Sequence, residues 1–351
     1  MKSTTRQMLA ATAITLTSAL TVNAATWIGG TGTEFSTAAN WDSGIAPPGE
    51  SNETYIISGP VTVDRTESSS TFNTNVENGA TLNVSGGTHN DNRAGNTIRN
   101  FVGSTTAGTV NVTGASTSYS IGHVLAIANG NNGNGAFTVS DGASVDIYRG
   151  SNNLIGTGGV VGGITYNASL SIGTAPGNTS TGLFEISGGS LSTRVGVNVG
   201  NGGTFSVVGS EVSSIVLGGS NVDAGWLILA AGSTLKATID DSGITPIFVE
   251  KYAGTSGTFI QSIVNLASGA LLDMDFASTP IAGTWTLVEM EDGDIVNDGF
   301  ALTDSDIAAG WSFSVDNSGT NGLLQVTYVP EPSGAILGGL GLLALFRRRR
   351  N

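Results

Sequence analysis

The chain has 351 residues, of which 11% are charged and none is cysteine, so disulfides, thiolate metal sites and a cysteine nucleophile are excluded. Between residues 25 and 330 there are 7 basic and 26 acidic residues; a net charge of −19 repels nucleic acid and anionic lipid, which need basic patches. The 52 glycines stand beside 39% apolar residues, so the composition is that of a turn-rich all-β protein with enough Val, Ile, Leu and Phe to bury.

Residues 1–24 carry Lys2 and Arg6, an apolar and Thr-rich run from Met8 to Val22, and the small residues Val22 and Ala24 before Ala25. That three-part pattern reads as a secretory signal peptide. Residues 25–78 contain Trp27, Trp41 and Pro47-Pro48 and break the repeat that follows. We read them as an N-terminal cap, because the open end of a β ladder aggregates unless it is covered.

Residues 79–276 repeat. "GTVNVTGAS" from Gly108, "GAFTVSDGAS" from Gly135, "GLFEISGGS" from Gly182 and "GTFSVVGSE" from Gly203 align on their glycines. Apolar residues follow at +2 and +4 (Val110 and Val112, Phe137 and Val139, Phe184 and Ile186, Phe205 and Val207), with a polar residue between. That alternation is a strand with one buried face. "GATLNVSGGT" from Gly79 fits with one residue inserted, and "ASLSIG" from Ala168 fits without the glycine. A second strand follows each, often ending in an aliphatic residue and glycine, as at Ile121-Gly122, Ile155-Gly156, Ile172-Gly173, Val199-Gly200 and Leu217-Gly218. Glycine and asparagine clusters (129–135, 156–163) fall between strands as turns. One strand pair per unit, recurring at irregular intervals of a few tens of residues, predicts a right-handed parallel β-helix whose coils bury one another's apolar faces. A β-sandwich is the alternative; the recurrence of one formula argues against it. The repeat resembles the autotransporter-associated β-strand repeats of bacterial surface proteins, and the opening "W…NW" resembles the entry segment of such proteins.

Residues 277–329 read as a C-terminal β cap of three strands, Thr284–Met290, Trp311–Asp316 and Leu323–Val329. Beyond them lies "VPEPSGAILGGLGLLALFRRRRN". Ser333 to Phe346 is fourteen residues without a charge. As a helix it spans about 21 Å, short of the roughly 30 Å hydrocarbon core of a bilayer. It is apolar all round, however, and the four arginines after it can snorkel to the interface and lengthen the effective span. The positive-inside rule keeps those arginines cytoplasmic, in agreement with the signal peptide's export of the middle. The order of Pro330-Glu331-Pro332, an apolar helix over 333–346 and a terminal arginine cluster resembles the PEP-CTERM sorting signal of Gram-negative exported proteins. The resemblance covers residues 330–351. It implies recognition of Pro330, Glu331 and Pro332 by an integral-membrane exosortase-type processing enzyme, temporary anchoring by the helix, and a cytoplasmic stop at Arg347, Arg348, Arg349 and Arg350. It also implies delivery to the cell surface or the exopolysaccharide matrix.

The chemistry-bearing residues are sparse. His89 and His123 are the only histidines, in different repeats, and read as turn and strand-end residues. "EDGDIVNDG" (291–299) fails the calcium-loop spacing: Asp292 and Asp294 fit, but Val296 and Asn297 do not, so it reads as a turn. Asp273 and Asp275 alternate with Leu272, Met274 and Phe276 on one exposed strand face; paired carboxylates about 7 Å apart can act together, but a wet strand face is the simpler reading. Trp226 and Tyr148 are candidate sugar-stacking rings, though core packing explains scattered tryptophans as well. No catalytic residue, cofactor or metal is expected. The sequence therefore predicts a non-enzymatic exported repeat protein, transiently membrane-anchored and then displayed on exopolysaccharide, on other surface proteins or on copies of itself. The alternatives are a polysaccharide-active β-helix enzyme and, last, a flat threonine face for ice or crystalline glycans.

Overall fold

The computed structural model describes residues 24–30, 32–46, 54–66, 73–91, 99–122, 124–148, 159–161, 164–166, 168–173, 178–218, 224–251 and 262–330. The N-terminal 23 residues, Glu331, Pro332, the apolar run 333–346, Arg347 to Arg350 and His123 lie outside them. Among the described residues no helix is long and apolar enough to cross a membrane.

The chain coils through three sheets, one of ten strands and two of nine. A complete coil gives one strand to each in turn, as Val124–Ile127 (first sheet), Asn134–Ser140 (second) and Ser144–Ile147 (third) do. Each strand pairs in parallel with its counterparts one coil before and after, so the sheets are stacks of successive coils, the arrangement of a β-solenoid. Stacking reaches beyond the predicted 79–276 at both ends. Ala24–Thr26, Thr54–Ser58 and Asn73–Glu77 already follow one another in the first sheet, and Ala301–Leu302 still extends the second.

The repeat unit thus has three strands rather than two. The additional strands are those of the first sheet, such as Val124–Ile127 and Trp226–Leu229, which are buried at every position; the strand ends Ile172-Gly173 and Val199-Gly200 belong to this sheet, whereas Ile121-Gly122 and Leu217-Gly218 belong to the third. A strand buried on both faces shows no alternation and reads as a short apolar run. "ASLSIG" belongs here as well: Leu170–Ile172 pairs with Leu125–Ile127 and Val197–Val199 in the first sheet, not with the glycine-led strands. The cluster at 156–163 is not wholly a turn either, because Gly159–Val161 and Ile164–Tyr166 form an antiparallel hairpin.

The aligned glycines stack. Gly108, Gly135, Gly182 and Gly203 are consecutive register partners in the second sheet. They open that sheet where the chain has just turned out of the first. A Cβ on Gly135 would lie 2.2 Å from the Val102 carbonyl oxygen and 2.7 Å from Ile127 Cγ2; one on Gly203 would lie 2.4 Å from the Ile172 oxygen. In these coils the corner is too tight for a side chain; elsewhere in the column it admits a small one, at Ala80 beside Gly108 and at Ser233 and Ala270 just before Thr234 and Leu271. Behind it runs the core. Val63, Leu82, Val110, Phe137, Phe184, Phe205, Leu235, Leu272 and Leu302 form one register column, all buried. Phe137 and Phe184 stack at 5.5 Å and 10°.

Both ends are closed by aromatic packing. At the N-terminal end Trp41 meets Trp27, Phe35 and Tyr55 edge-on at 5.2, 5.3 and 4.8 Å, and its Nε1 donates to the Phe35 carbonyl. At the C-terminal end the third sheet changes direction: Gly283–Met290 pairs antiparallel with Gly322–Tyr328, which pairs with Trp311–Asp316. These strands fall within a residue of the three expected. A short helix, Asp304–Ala309, follows the last strand of the second sheet, and Thr303 caps it by accepting from the Asp306 N–H. Asp306 in turn accepts from the Met274 N–H (3.0 Å), supplying an edge strand with the acceptor that a further coil would have given.

Gly135→Ala is expected to lower stability by about 1–3 kcal/mol, since the corner must open to admit a methyl group. Urea unfolding of the variant beside the parent checks it; an unchanged midpoint would show the corner to be slack.

Candidate functional site

Two groups of polar side chains stand out, one on the outside and one inside. On the outer face of the second sheet the position between the two core columns is polar in every coil: Asp64, Asn83, Asn111, Thr138, Glu185, Ser206, Lys236 and Asp273 are successive register partners. They bond to one another. Thr33 Oγ1 donates to Asp64 (2.8 Å), Asn83 Nδ2 to Asp64 (2.9 Å), Asn111 Nδ2 to Asn83 Oδ1 (2.9 Å) and Thr138 Oγ1 to Asn111 Oδ1 (2.9 Å). Ser206 donates to Glu185 (3.3 Å), and Lys236 lies 4.0 Å from Asp273. Beside it Thr62, Thr81 and Thr109 form a column that resumes with Thr204 and Thr234, interrupted by Ala136 and Leu183. The third sheet presents serines outward in the same way, at Ser118, Ser144 and Ser190.

Acids at the corners face the backbone. Glu77 accepts from the N–H groups of Ser104, Thr105 and Thr106 and from the Thr106 hydroxyl. Asp240 accepts from the N–H groups of Ser210, Ser242 and Gly243. Slight burial works against its ionisation, but those N–H groups and the Ser210 hydroxyl win and hold the carboxyl below the usual range.

Inside the first coils sits a buried ion pair. Arg65 occupies the core column that Val84, Val112 and Val139 fill in the next coils, and Asp91 the column continued by Ile121 and Ile147. Both are fully buried, 2.7 Å apart. Tyr119 Oη donates to the other Asp91 oxygen (2.6 Å), Arg65 also donates to the Asn90 carbonyl, and its guanidinium lies over Phe35 and Tyr119 at 5.1 and 5.5 Å. Burial, then the Asp91 charge, pushes the Tyr119 hydroxyl far above its ordinary range, so it stays a donor. His89 lies in the same interior and donates from Nε2 to the Gly86 carbonyl. Burial, then the Arg65 charge, holds its pKa below 6.5, against the pull of the Gly86 and Ser85 carbonyls and of Asp91. His89 is therefore a fully buried strand residue, where a turn or strand-end residue was expected. Arg65, Asp91 and Tyr119 were not singled out by sequence; the signal available was a charged residue on the inward beat of an alternating strand.

The other sequence candidates are not brought together. Asp273 is half-buried and Asp275 exposed, both outward on the second sheet as expected. Burial raises the Asp273 pKa; Lys236 opposes it, and Asp306 and Asp275 add to it. Asp292 has a left-handed backbone (φ 46°) and pairs with Lys251 at 3.0 Å, which is turn geometry. Trp226 is buried against Val195, Ile228 and Ile263, whereas Tyr148 is 47% exposed with Arg194 over its ring. Among the described residues no three His, Asp or Glu side chains are placed to hold a metal ion. Of the sorting motif only Pro330 is described, as an exposed residue; Glu331, Pro332 and Arg347 to Arg350 lie outside.

Asp91→Ala, which strands the Arg65 charge in the core, is expected to cost about 3–5 kcal/mol. The triple change Arg65→Val, Asp91→Ile and Tyr119→Phe, which gives the first coils the apolar character of later ones, should recover most of that in urea melts. A second expectation concerns pH. The unfolded chain protonates His89 near 6.5 while the folded chain resists, so its contribution is intact above about pH 7 and is lost as pH falls through that value. His89→Gln should flatten the fall in urea midpoint between about pH 7 and 5.5 relative to the parent; an identical slope would place the titration elsewhere.

Against known protein families, curated proteins and solved structures, the chain finds no significant match.

Proposed function

We propose that this protein is a non-enzymatic display rod, exported across the inner membrane, held transiently by its C-terminal segment and then placed at the cell surface or in the extracellular matrix. The coil is right-handed, following the general preference of parallel crossovers. Residues 1–24 direct export. Pro330, Glu331 and Pro332 form the recognition element of an exosortase-type processing enzyme, Ser333 to Phe346 the temporary anchor, and Arg347, Arg348, Arg349 and Arg350 the cytoplasmic stop. The partner of the rod is exopolysaccharide or another surface protein.

The observation that carries this reading is the outer ladder from Asp64 to Thr138, in which each side chain is bonded to its neighbour in the next coil. Such side chains are held rigid and at a fixed spacing, which suits repetitive contact with a repetitive polymer. A second reading, a polysaccharide-active enzyme, is favoured by one feature only: Asp273 and Asp275 share one outward strand face, the paired-carboxylate arrangement, and burial favours the protonated form of Asp273 against the pull of Lys236.

Expression of the full chain in its native host, with intact-mass measurement of cell-bound and released protein, tests the sorting. A mature form lacking residues 1–24 and ending near 330–333 is expected; one retaining Arg347 to Arg350 overturns it. Incubating the released form with host exopolysaccharide separates the two readings. Display predicts co-sedimentation without new reducing ends. Release of reducing ends that Asp273→Asn abolishes would establish the enzyme.

A further inference from the structure

Among the described residues few large aliphatic side chains are left in water, and three of the most exposed lie on segments that adjoin at one end of the third sheet. Ile281 is 46%, Ile307 58% and Val329 61% exposed. Gly283, Tyr328 and Trp311 are register partners across the antiparallel end of the third sheet. Ile281 precedes Gly283 by two residues, Val329 follows Tyr328 directly, and the helix carrying Ile307 runs through Gly310 into Trp311. The Val329 N–H donates to the Gly310 carbonyl (3.1 Å), tying the helix end to the last strand. Behind these side chains Phe276, Trp311 and Tyr328 pack ring on ring at 4.8 to 5.0 Å, with Trp285 6.0 Å from Trp311. Phe276, Trp285 and Tyr328 are only half-buried.

The chain leaves the described structure at this spot. Only Pro330, Glu331 and Pro332 separate Val329 from the apolar run that begins at Ser333. Four residue steps of extended chain reach at most about 14 Å. The headgroup layer on each side of the hydrocarbon is about 5–7 Å deep. A tail inserted from Ser333 therefore keeps Val329 within that layer or no more than about 9 Å above it. The charge pattern decides what kind of contact follows: there is no Lys or Arg between Lys251 and Arg347, so anionic lipid supplies no attraction. Aliphatic side chains backed by Trp and Tyr are instead the set that settles at the interface of an uncharged lipid surface.

We propose that the C-terminal cap is a membrane foot, in which Ile281, Ile307 and Val329, with Trp285 and Tyr328 beside them, rest on the bilayer while the tail is inserted. This rests on the reading of Ser333 to Phe346 as a membrane-inserted segment. The foot alone binds weakly; the tail supplies the local concentration that makes the contact persist. Removal of the tail frees the foot together with the rod.

The chain has no cysteine, so single-cysteine labelling is direct. Ile307→Cys and, as a water-facing control, Ser116→Cys would carry an environment-sensitive fluorophore on the full chain, with and without phosphatidylcholine vesicles. The expected result is vesicle co-sedimentation, quenching of the Ile307 label by shallow lipid-borne quenchers, and several-fold weaker quenching by aqueous iodide than at Ser116, only when vesicles are present. Adding Ile281→Ser and Val329→Ser should restore iodide access at 307 without releasing the chain from vesicles. Co-sedimentation with iodide access equal at both labels overturns the foot and leaves the anchor standing. Failure to co-sediment overturns the anchor and the foot with it. Protection at 307 without vesicles overturns the foot in favour of the tail itself, or a second copy, covering the patch.

Discussion

Each coil of this chain must hand its backbone N–H and C=O groups to the coils before and after it, and the in-register parallel ladder that results governs everything else. Parallel register puts like positions above like. Where one coil turns sharply and needs a residue with little or no side chain, the next coil needs one at the same place, which is why Gly108, Gly135, Gly182 and Gly203 stack. The rule also builds the interior: an apolar residue in one coil is buried by its equivalents above and below, so no coil is stable alone. Outside, the same register turns isolated Asn and Thr side chains into a bonded column.

The ladder has two ends, where the rule has no partner to offer, and there the chain departs from its own pattern. At the N-terminal end the third sheet begins a coil later than the second, with Thr88–Asp91. Arg65, one coil earlier, reaches toward that later strand and meets Asp91. An ion pair in a core is a poor source of net stability, but a register that separated Arg65 from Asp91 would bury a lone charge. At the other end the side chain of Asp306 stands in for a missing strand by accepting from Met274. A hydrogen bond to a carboxylate replaces one to a carbonyl, and the edge closes without further chain.

What the sequence made legible follows the same logic. Strands with one wet face alternate, and those of the second sheet were visible from Gly108 to Val207 because alternation and the corner glycine mark them together. The first sheet was not legible as a separate one: its strand ends at Ile172 and Val199 carry the same aliphatic-glycine mark as those of the third sheet at Ile121 and Leu217, while runs like Val124–Ile127 and Trp226–Leu229 are buried at every position, and a short apolar run has no period to read. Glycine proved a narrower marker than the corner demands, since Ala80, Ser233 and Ala270 also fit it. The outer ladder was half visible. No Thr-x-Thr motif recurs, but "TVD", "TLN" and "TVN" at 62–64, 81–83 and 109–111 place threonine and a polar partner in register, which only the coil boundaries reveal. The ion pair needed three coils to be aligned at once.

The acidic surplus takes its meaning from these placements. Glu77 and Asp240 are spent on the N–H groups of their own corners, so the charge of the chain is not by itself a ligand site. The outer Asn and Thr side chains likewise satisfy one another, leaving each with fewer free donors and acceptors than an isolated side chain would have. A partner gains little at any one of them. It gains over many, because the columns repeat at the roughly 4.8 Å spacing of stacked strands and successive weak contacts on one rigid surface add as linked events. A surface of that kind is ill suited to gripping a small molecule and well suited to lying along another polymer. On the display function proposed above, the weight rests on the length and regularity of the stack and on how its two ends are held.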